Sequence, residues 1–233
     1  MRIELQYALA FSLAAVIIVA GFWPSFYADP TQNEPFRTVH GLWATGWLLI
    51  MVTQPWLIAT GRFGWHRRLG AIARLWFAAL AVSILVAVWR MLSEPRGVGD
   101  GLTARQAVGF VNLVGLPVIV AMFVLAIRAA KAGRIADHRR YLACVVAVIL
   151  PTGMVRLVTA ITGQFSPLNI AGVGLLVGLV ILAIAIRDRL ASGVWFKPYL
   201  WTIAASVGPL MLVPLVIDAP LWLGIVRLVG YPG

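Results

Sequence analysis

The stretch Arg62-Phe-Gly-Trp-His-Arg-Arg-Leu-Gly-Ala71 lies between two long apolar segments, and its skeleton returns as Arg134-Ile-Ala-Asp-His-Arg-Arg-Tyr-Leu-Ala143. Both copies read R-x-x-x-H-R-R-x-x-A, and the second copy is also flanked by apolar segments. The same offset aligns His40 with Asn112, each at the start of the preceding apolar segment. The sequence therefore predicts a weak internal repeat of residues 40–89 and 112–161, although the flanking segments share little further identity.

The composition of the chain decides its class. Hydrophobic residues make up 61% of the 233 residues, and charged residues only 12%. Such a chain cannot cover a globule with polar surface, which excludes a soluble protein and predicts an integral membrane protein. A bilayer offers no water to backbone groups, and the apolar runs are continuous rather than alternating, so the spanning elements are helices. We therefore predict an all-α polytopic membrane helix bundle, with residues 1–233 as a single domain.

Seven apolar runs have about the 20 residues that a helix needs to cross a hydrocarbon core of roughly 30 Å. They cover residues 5–23, 41–60, 69–89, 107–127, 141–161, 168–186 and 199–217. A last run at 221–229 is too short to cross and is expected at the interface or as a cap. The first run lacks a cleavage site, so we expect it to be retained as a span. The motif copies are expected in loops at 61–68 and 128–140.

Basic residues are concentrated in the loops on one side of the predicted bundle, whereas the loops on the other side have a net charge near zero. Because cytoplasmic loops retain Lys and Arg, this pattern predicts a multi-pass protein of the bacterial inner membrane with its amino terminus inside. The formal net charge of +11 is then an orientation signal, and no nucleic acid partner is expected. The residues concerned are Arg62, Arg67, Arg68, Arg128, Lys131, Arg134, Arg139, Arg140, Arg187, Arg189 and Lys197.

The three histidines of the chain are His40, His66 and His138. His40 and His66 lie at opposite ends of one predicted span, roughly 39 Å apart along a helix, which is too far to share a ligand. His66 and His138 each begin an outward-running helix on the inner side, so they can face each other if those helices are neighbours. Two imidazoles can supply both axial ligands of a haem b or part of a transition-metal site, with Arg67 and Arg139 pairing anionic groups.

The same motif has a simpler interpretation. His-Arg-Arg before an apolar segment is common in positive-inside loops, and such a motif can also hold anionic lipid headgroups at the inner leaflet. The single Cys144 excludes a disulfide framework, an iron–sulfur cluster and a thiolate zinc site. No predicted span contains Lys, which excludes a retinal Schiff base.

Arg156 follows a Pro-Thr-Gly break and lies some 15 residues into its predicted span. A fixed cation at that depth is costly unless it meets a partner or water, which predicts a functional or structural polar site that includes Arg156. The candidate partners of Arg156 near the same outer depth are His40, Asn112, Gln164 and Asp218, of which the first three are the predicted members of an outer polar cluster. The alternative is that Arg156 snorkels to the outer interface.

Several short motifs are spread over residues 39–157: His40-Gly, Gln54-Pro55, Trp65-His66-Arg67-Arg68-Leu69-Gly70, His138-Arg139-Arg140-Tyr141 and Arg156. In these motifs the chain resembles uncharacterised bacterial membrane proteins grouped under a domain of unknown function. The His-Arg-x-x-Gly part is also similar to small membrane proteins implicated in maturing haem–copper oxidases and, distantly, to haem-b membrane reductases. The paired mid-helix histidines of the reductases are missing. The resemblance implies haem or metal binding, or assembly of a respiratory complex.

Three functions remain open from the sequence. The first is a cofactor protein in which His66 and His138 hold haem or a metal, with Arg67, Arg139 and Arg156 pairing anionic groups. The second is a non-catalytic membrane subunit or assembly factor that docks on a larger complex. The third is a small-molecule or lipid transporter that uses His40, Asn112 and Arg156. The sequence does not decide whether the protein is an enzyme, although it contains no nucleotide-binding loop and no nucleophile motif.

Overall fold

The structure is a computed structural model that describes residues 3–93, 102–216 and 218–228. The described chain is helical and contains no strand, and seven of its helices are long and apolar enough to cross a membrane. The helices are α1 (Ile3–Phe22), α2 (Pro35–Ala59), α3 (Phe63–Ser93), α4 (Leu102–Lys131), α5 (Ile135–Thr162), α6 (Pro167–Ser192), α7 (Pro198–Val216) and α8 (Pro220–Leu228).

The prediction of an all-α polytopic membrane protein with seven spans is confirmed. The final apolar run forms a helix of only nine residues, which is too short to span. Positions 217 and 229, which end two of the predicted runs, lie outside the described residues.

The predicted loops at 61–68 and 128–140 are wrong. The breaks between helices cover only residues 60–62 and 132–134, so that most of each motif copy is helical. The physical reason is that hydropathy locates the apolar part of a helix, whereas an α-helix continues into polar surroundings with its own hydrogen bonds intact. His66 and His138 therefore lie in the first turns of α3 and α5.

The chain divides into two compact units, residues 1–87 and 88–233. They are called unit 1 and unit 2, and each is described by itself. The single domain and the repeat of residues 40–89 and 112–161 stay predictions.

Aromatic side chains hold α2 against α3 in unit 1. The rings of Trp43 and Trp76 lie 4.5 Å apart, and the indole nitrogen of Trp76 donates to the backbone oxygen of Trp43 at 2.8 Å. Trp47, which is 2% exposed, packs against Phe77 at 4.9 Å. A Cβ at Gly46 would overlap the Trp76 ring, so this glycine allows the ring to lie on the α2 backbone.

Unit 2 contains the antiparallel pair α4 and α5, with α7 packed against both and α6 packed against α5 and α7. Two glycines four residues apart on α6 allow α7 to approach closely. A Cβ at Gly174 would lie 3.2 Å from Leu210, and one at Gly178 would lie 2.9 Å from Val207. The absence of a side chain at both positions therefore sets the separation of α6 and α7.

The turn between α2 and α3 depends on Gly61, which has a φ of +74°. The backbone N–H of Gly61 donates to Ile58 at 3.0 Å, and that of Arg62 donates to Leu57 at 2.7 Å. These bonds satisfy carbonyls in the last turn of α2, as expected where a left-handed glycine follows a helix.

The turn between α4 and α5 has the same hydrogen bonds. Gly133 has a φ of +73° and donates to Ala130 at 3.1 Å, and Arg134 donates to Ala129 at 2.9 Å. Every donor and acceptor lies at the same offset from its counterpart in the first turn. The two hairpins thus share their turn geometry as well as their basic motif.

We expect Gly61→Ala and Gly133→Ala each to destabilise the protein by about 1–2 kcal/mol, because an L-residue is strained in the left-handed region. Thermal unfolding of the detergent-purified protein is the measurement. Gly64→Ala is the matched control, since Gly64 is helical and a Cβ added there would meet no atom within 4 Å. An equal loss in Gly64→Ala would contradict the assignment of strain to the turn.

Candidate functional site

The imidazole of His138 is oriented by the helix that precedes it. His138 Nδ1 lies 2.9 Å from the backbone oxygen of Ala126, twelve residues earlier on α4. A carbonyl oxygen can only accept, so Nδ1 carries the proton and donates. In the neutral ring Nε2 then keeps its lone pair, which is the atom that a metal or haem iron would use.

His66 occupies the position in the first motif copy that His138 occupies in the second, but its imidazole has different surroundings. Its Nδ1 lies 3.4 Å from the backbone oxygen of Gln54, again twelve residues earlier. The Gln54 side chain, which is buried, lies closer to the ring. In the orientation that satisfies both ends of the amide, Oε1 of Gln54 accepts from the backbone N–H of Gly70 at 2.9 Å. The amide nitrogen of Gln54 then donates to Nδ1 of His66 and to the His66 backbone oxygen, the latter at 3.3 Å.

The two motif histidines are therefore assigned opposite tautomers from their hydrogen-bond partners. His66 Nδ1 accepts from Gln54, which places the proton on Nε2. His138 Nδ1 donates to Ala126, which leaves Nε2 without the proton. The difference arises from one position, because the residue that corresponds to Gln54 in the second copy is Ala126, whose methyl group cannot hydrogen-bond.

His40 is held within unit 1 by α3. Its Nδ1 lies 3.0 Å from the hydroxyl of Ser83, and that hydroxyl donates to the backbone oxygen of Leu80 at 2.8 Å. The Ser83 oxygen therefore accepts from His40 Nδ1, which is protonated. Sequence reasoning missed both Gln54 and Ser83 as partners of histidines; the available signal was a polar residue inside an apolar segment.

The predicted site residues are placed as follows. His66 and Arg67 belong to unit 1, and His138 and Arg139 belong to unit 2. A shared cofactor between the two histidines stays a prediction. Arg67 is exposed, whereas Arg139, next to His138, is half-buried.

The residues of the predicted outer cluster are also divided between the units, because His40 is in unit 1 and the rest are in unit 2. The amide nitrogen of Asn112 donates to Val108 at 2.8 Å, within α4. Gln164 is exposed in the turn after α5, where its backbone oxygen accepts from Asn169 at 3.0 Å. Arg156 is half-buried on α5. The cluster of His40, Asn112 and Gln164 stays a prediction.

Arg140 forms a clamp that sequence reasoning missed. Its guanidinium donates to Asp188 of α6 at 2.8 and 3.2 Å and to Asp137 at 3.2 Å. The cation also lies 5.5 Å from the centre of the Phe196 ring, in the segment before α7. The sequence predicts Arg140 as an orientation signal and as part of the His138-Arg139-Arg140-Tyr141 motif. Asp137 and Asp188 are acidic residues among the basic loops, and they were a usable signal for ion pairs.

The described part of the chain contains no group of three or more His, Cys, Asp or Glu residues that could hold a metal ion. A tetrahedral site built from protein ligands alone does not fit these residues. A haem requires fewer protein ligands, because the macrocycle supplies four nitrogens and the protein contributes only an axial ligand. Haem binding by this chain stays a prediction.

Comparisons with protein-family models, with curated proteins and with solved structures found no match for this chain. The resemblance to proteins of a domain of unknown function and to oxidase maturation proteins therefore stays a prediction.

We expect nitrogen NMR of the histidine-labelled protein in detergent to show opposite tautomers at the two motif positions. His138 should have a protonated Nδ1, and His66 a protonated Nε2, because their partners accept and donate respectively. Gln54→Leu should remove the donor to His66 and alter its nitrogen shifts while leaving those of His138 unchanged. Identical nitrogen shifts for the two residues at neutral pH would contradict the assignment.

Proposed function

We propose that this multi-pass membrane protein lies in the bacterial inner membrane and holds a haem through His138, in the service of assembling a respiratory or redox membrane complex. The observation that carries the proposal is the hydrogen bond from His138 Nδ1 to the Ala126 carbonyl at 2.9 Å. Histidines that ligate metals commonly donate their other ring nitrogen to a carbonyl or carboxylate, which fixes the tautomer and the ring direction.

The surroundings of His138 suit an anionic macrocycle. Arg139 follows it directly, and the exposed Arg128 and Lys131 lie at the end of α4 that the His138 ring contacts. Guanidinium and ammonium groups pair with the propionates of a haem b. When bound, the haem would supply an iron centre for redox chemistry or ligand binding, and the chain supplies its axial imidazole and the countercharges.

A single imidazole favours holding and delivering haem over permanent electron transfer. His66 Nε2 becomes free to coordinate when Nδ1 carries the proton and donates to an oxygen of Gln54, either its backbone oxygen at 3.4 Å or the side-chain oxygen after the amide turns over. While Nδ1 accepts from the Gln54 amide, the proton is on His66 Nε2, which makes His66 the poorer ligand of the two. A haem held by one protein nitrogen would be released more easily than one held by two, which suits an assembly factor.

A second candidate is a non-catalytic membrane subunit that docks on a larger complex. This candidate is favoured by the contacts of His66 with Gln54 and of His138 with Ala126. In each contact the imidazole links the first turn of one helix to the preceding helix, which is a structural role. The exposed cations around both turns, such as Arg67, Arg68 and Arg134, would then face anionic lipid headgroups or an acidic partner.

We expect haem titrated into the detergent-purified protein to give a shifted Soret band in the native chain and in His66→Ala, and to lose that band in His138→Ala. The His66 variant is the matched control, because it removes an imidazole from the same motif in unit 1. Thermal unfolding of each variant checks that the fold survives.

The two candidates give different results. If haem binds neither the native chain nor His66→Ala, or if His138→Ala binds it as tightly as the native chain, the haem proposal is wrong. A loss of thermal stability in both histidine variants, without any haem binding by the native chain, would support the architectural subunit.

A further inference from the structure

One exposed face of α3 carries two arginines near the basic end of the helix and is apolar beyond them. The face begins with Arg67, Ala71, Arg74 and Ala78, which are all exposed. Because residues three and four apart are neighbours on a helix, these four side chains form one continuous strip. Arg67 and Arg74 are separated by about 10.5 Å along the helix axis. We call this set of four residues the arginine stripe.

The length of α3 sets the depth of Arg74. The helix has 31 residues and is about 46 Å long, whereas a hydrocarbon core is roughly 30 Å thick. Since Arg67 and Arg68 are charged and exposed, the hydrocarbon begins after them, and about 20 residues later it ends near the exposed Trp89. Arg74 then lies about 9 Å inside this boundary. A charge exposed to hydrocarbon at that depth is costly unless it reaches a polar group.

The side chain of Arg74 can reach polar surroundings at the basic end of the helix. The Cα–Cβ bonds of an α-helix tilt toward its amino-terminal end, and the amino-terminal end of α3 is the basic one. A long arginine side chain can extend in that direction and bring its charge to the interface. In doing so it passes over Ala71, whose methyl group leaves space between Arg67 and Arg74. An acceptor placed over Ala71 is within reach of both guanidinium groups.

Unit 1 provides few carboxylates at this end to balance the cations. Helices α2 and α3 contain no Asp or Glu. Glu4, in the first turn of α1, lies at the same end, since Trp56 of α2 donates to Ser12 of α1. In the described part of the chain, neither Arg67 nor Arg74 forms an ion pair. One carboxylate does not balance the arginines of this end, so the stripe has an excess of positive charge.

The second motif copy meets the same requirement with its own carboxylates. Arg140, which corresponds to Arg68, is bound by two aspartates, one of which is Asp137. The residue that corresponds to Asp137 in the first copy is Trp65, and the guanidinium of Arg68 lies 5.4 Å from the centre of its ring. The position of Arg74 has a valine in the second copy. The first copy therefore has one more arginine and lacks the acidic partner, which favours an anion from outside the chain.

We infer that the arginine stripe binds an anionic phospholipid, whose phosphate lies over Ala71 between Arg67 and Arg74. Guanidinium groups bind phosphate oxygens through paired, charge-assisted hydrogen bonds. The same face of α3 continues with the exposed Val82 and Leu85, which suit an acyl chain. The order of charge and then apolar surface along the face matches a lipid, whereas a soluble phosphate matches only the charged part. A headgroup with an ammonium group is disfavoured because this end already has excess positive charge.

The inference rests on the membrane placement in the proposed function, where the basic end of α3 faces the inner leaflet, and it does not rest on haem binding. It also goes beyond a general attraction of exposed cations to headgroups. It assigns one lipid site to the helix after the first turn and none to the second motif copy, where Asp137 and Asp188 already bind Arg140.

The test uses the full-length protein in detergent. The probes are phosphatidylglycerol, phosphatidylcholine with the same acyl chains as the zwitterionic reference, and glycerol 3-phosphate as a soluble phosphate. Native mass spectrometry measures the bound lipid at each concentration. We expect phosphatidylglycerol to bind about tenfold more tightly than phosphatidylcholine, and glycerol 3-phosphate not to compete with it. Arg67→Gln and Arg74→Gln should each weaken phosphatidylglycerol by about tenfold, because each removes a charged donor to the phosphate.

Matched variants separate a defined site from general attraction. Arg134→Gln removes an exposed arginine of the second motif copy that already pairs with Asp137, and it should change the affinity by less than about twofold. Ala71→Leu keeps every charge but fills the space between the two arginines, so it should weaken phosphatidylglycerol by about tenfold. Ala183→Leu, which enlarges an exposed alanine of α6, should leave the affinity unchanged. Thermal unfolding checks that each variant is folded.

Several results would overturn the inference. One is equal affinity for phosphatidylglycerol and phosphatidylcholine. Another is that Arg134→Gln weakens binding as much as Arg74→Gln while Ala71→Leu has no effect, as expected of general attraction to a positive surface. Competition by glycerol 3-phosphate would assign the stripe to a soluble phosphate instead. Co-purification of an acidic membrane protein that Arg74→Gln abolishes, without lipid binding, would assign it to a protein partner.

The outcome is independent of the haem experiment. His138→Ala should bind phosphatidylglycerol as tightly as the native chain, because His138 is in unit 2 and the stripe is in unit 1. Failure of haem binding with lipid binding intact would contradict the proposed function alone. Failure of lipid binding with haem binding intact would contradict this inference alone.

Discussion

A membrane helix can interrupt its own hydrogen-bond ladder only where another part of the protein replaces the missing partner, because hydrocarbon supplies none. Pro151 interrupts α5 in this way, since its nitrogen carries no hydrogen and the backbone oxygen of Ala147 loses its helical donor. The hydroxyl of Ser206 on α7, which is 2% exposed, lies 3.4 Å from that oxygen. The packing of α5 against α7 therefore provides a hydrogen-bond donor for the Ala147 carbonyl in addition to apolar contacts.

The two basic hairpins differ in how each one holds its histidine. Each turn contains a left-handed glycine and brings an imidazole back to the preceding helix. In the first hairpin the Gln54 side chain donates a hydrogen bond to Nδ1 of His66. In the second hairpin the backbone carbonyl of Ala126 accepts one from Nδ1 of His138. A single side-chain difference on the preceding helix therefore determines which nitrogen of each ring carries the proton, and with it which ring has an unprotonated Nε2.

Most of the fold could be predicted from the sequence, because span number depends on the length and continuity of apolar runs. The helical position of the motif residues could not be predicted in this way. Hydropathy marks only the part of a helix within the hydrocarbon, whereas the backbone hydrogen bonds of the helix continue beyond it. Partners such as Gln54 for His66, and Asp188 for Arg140, depend on which helix faces are adjacent. A single sequence does not show which helix faces are adjacent. The 12-residue spacing between Gln54 and His66 could be recognised as a contact only once the position of the turn between α2 and α3 was known.

The close approach of α6 and α7 has a consequence for self-association. Gly174 and Gly178 form the small-xxx-small pattern by which many isolated transmembrane helices dimerise. In this chain that groove is filled by Leu210 and Val207 from α7. The usual oligomerisation surface is thus occupied from within, and a second copy that joined along α6 would have to use a face richer in bulky aliphatic side chains.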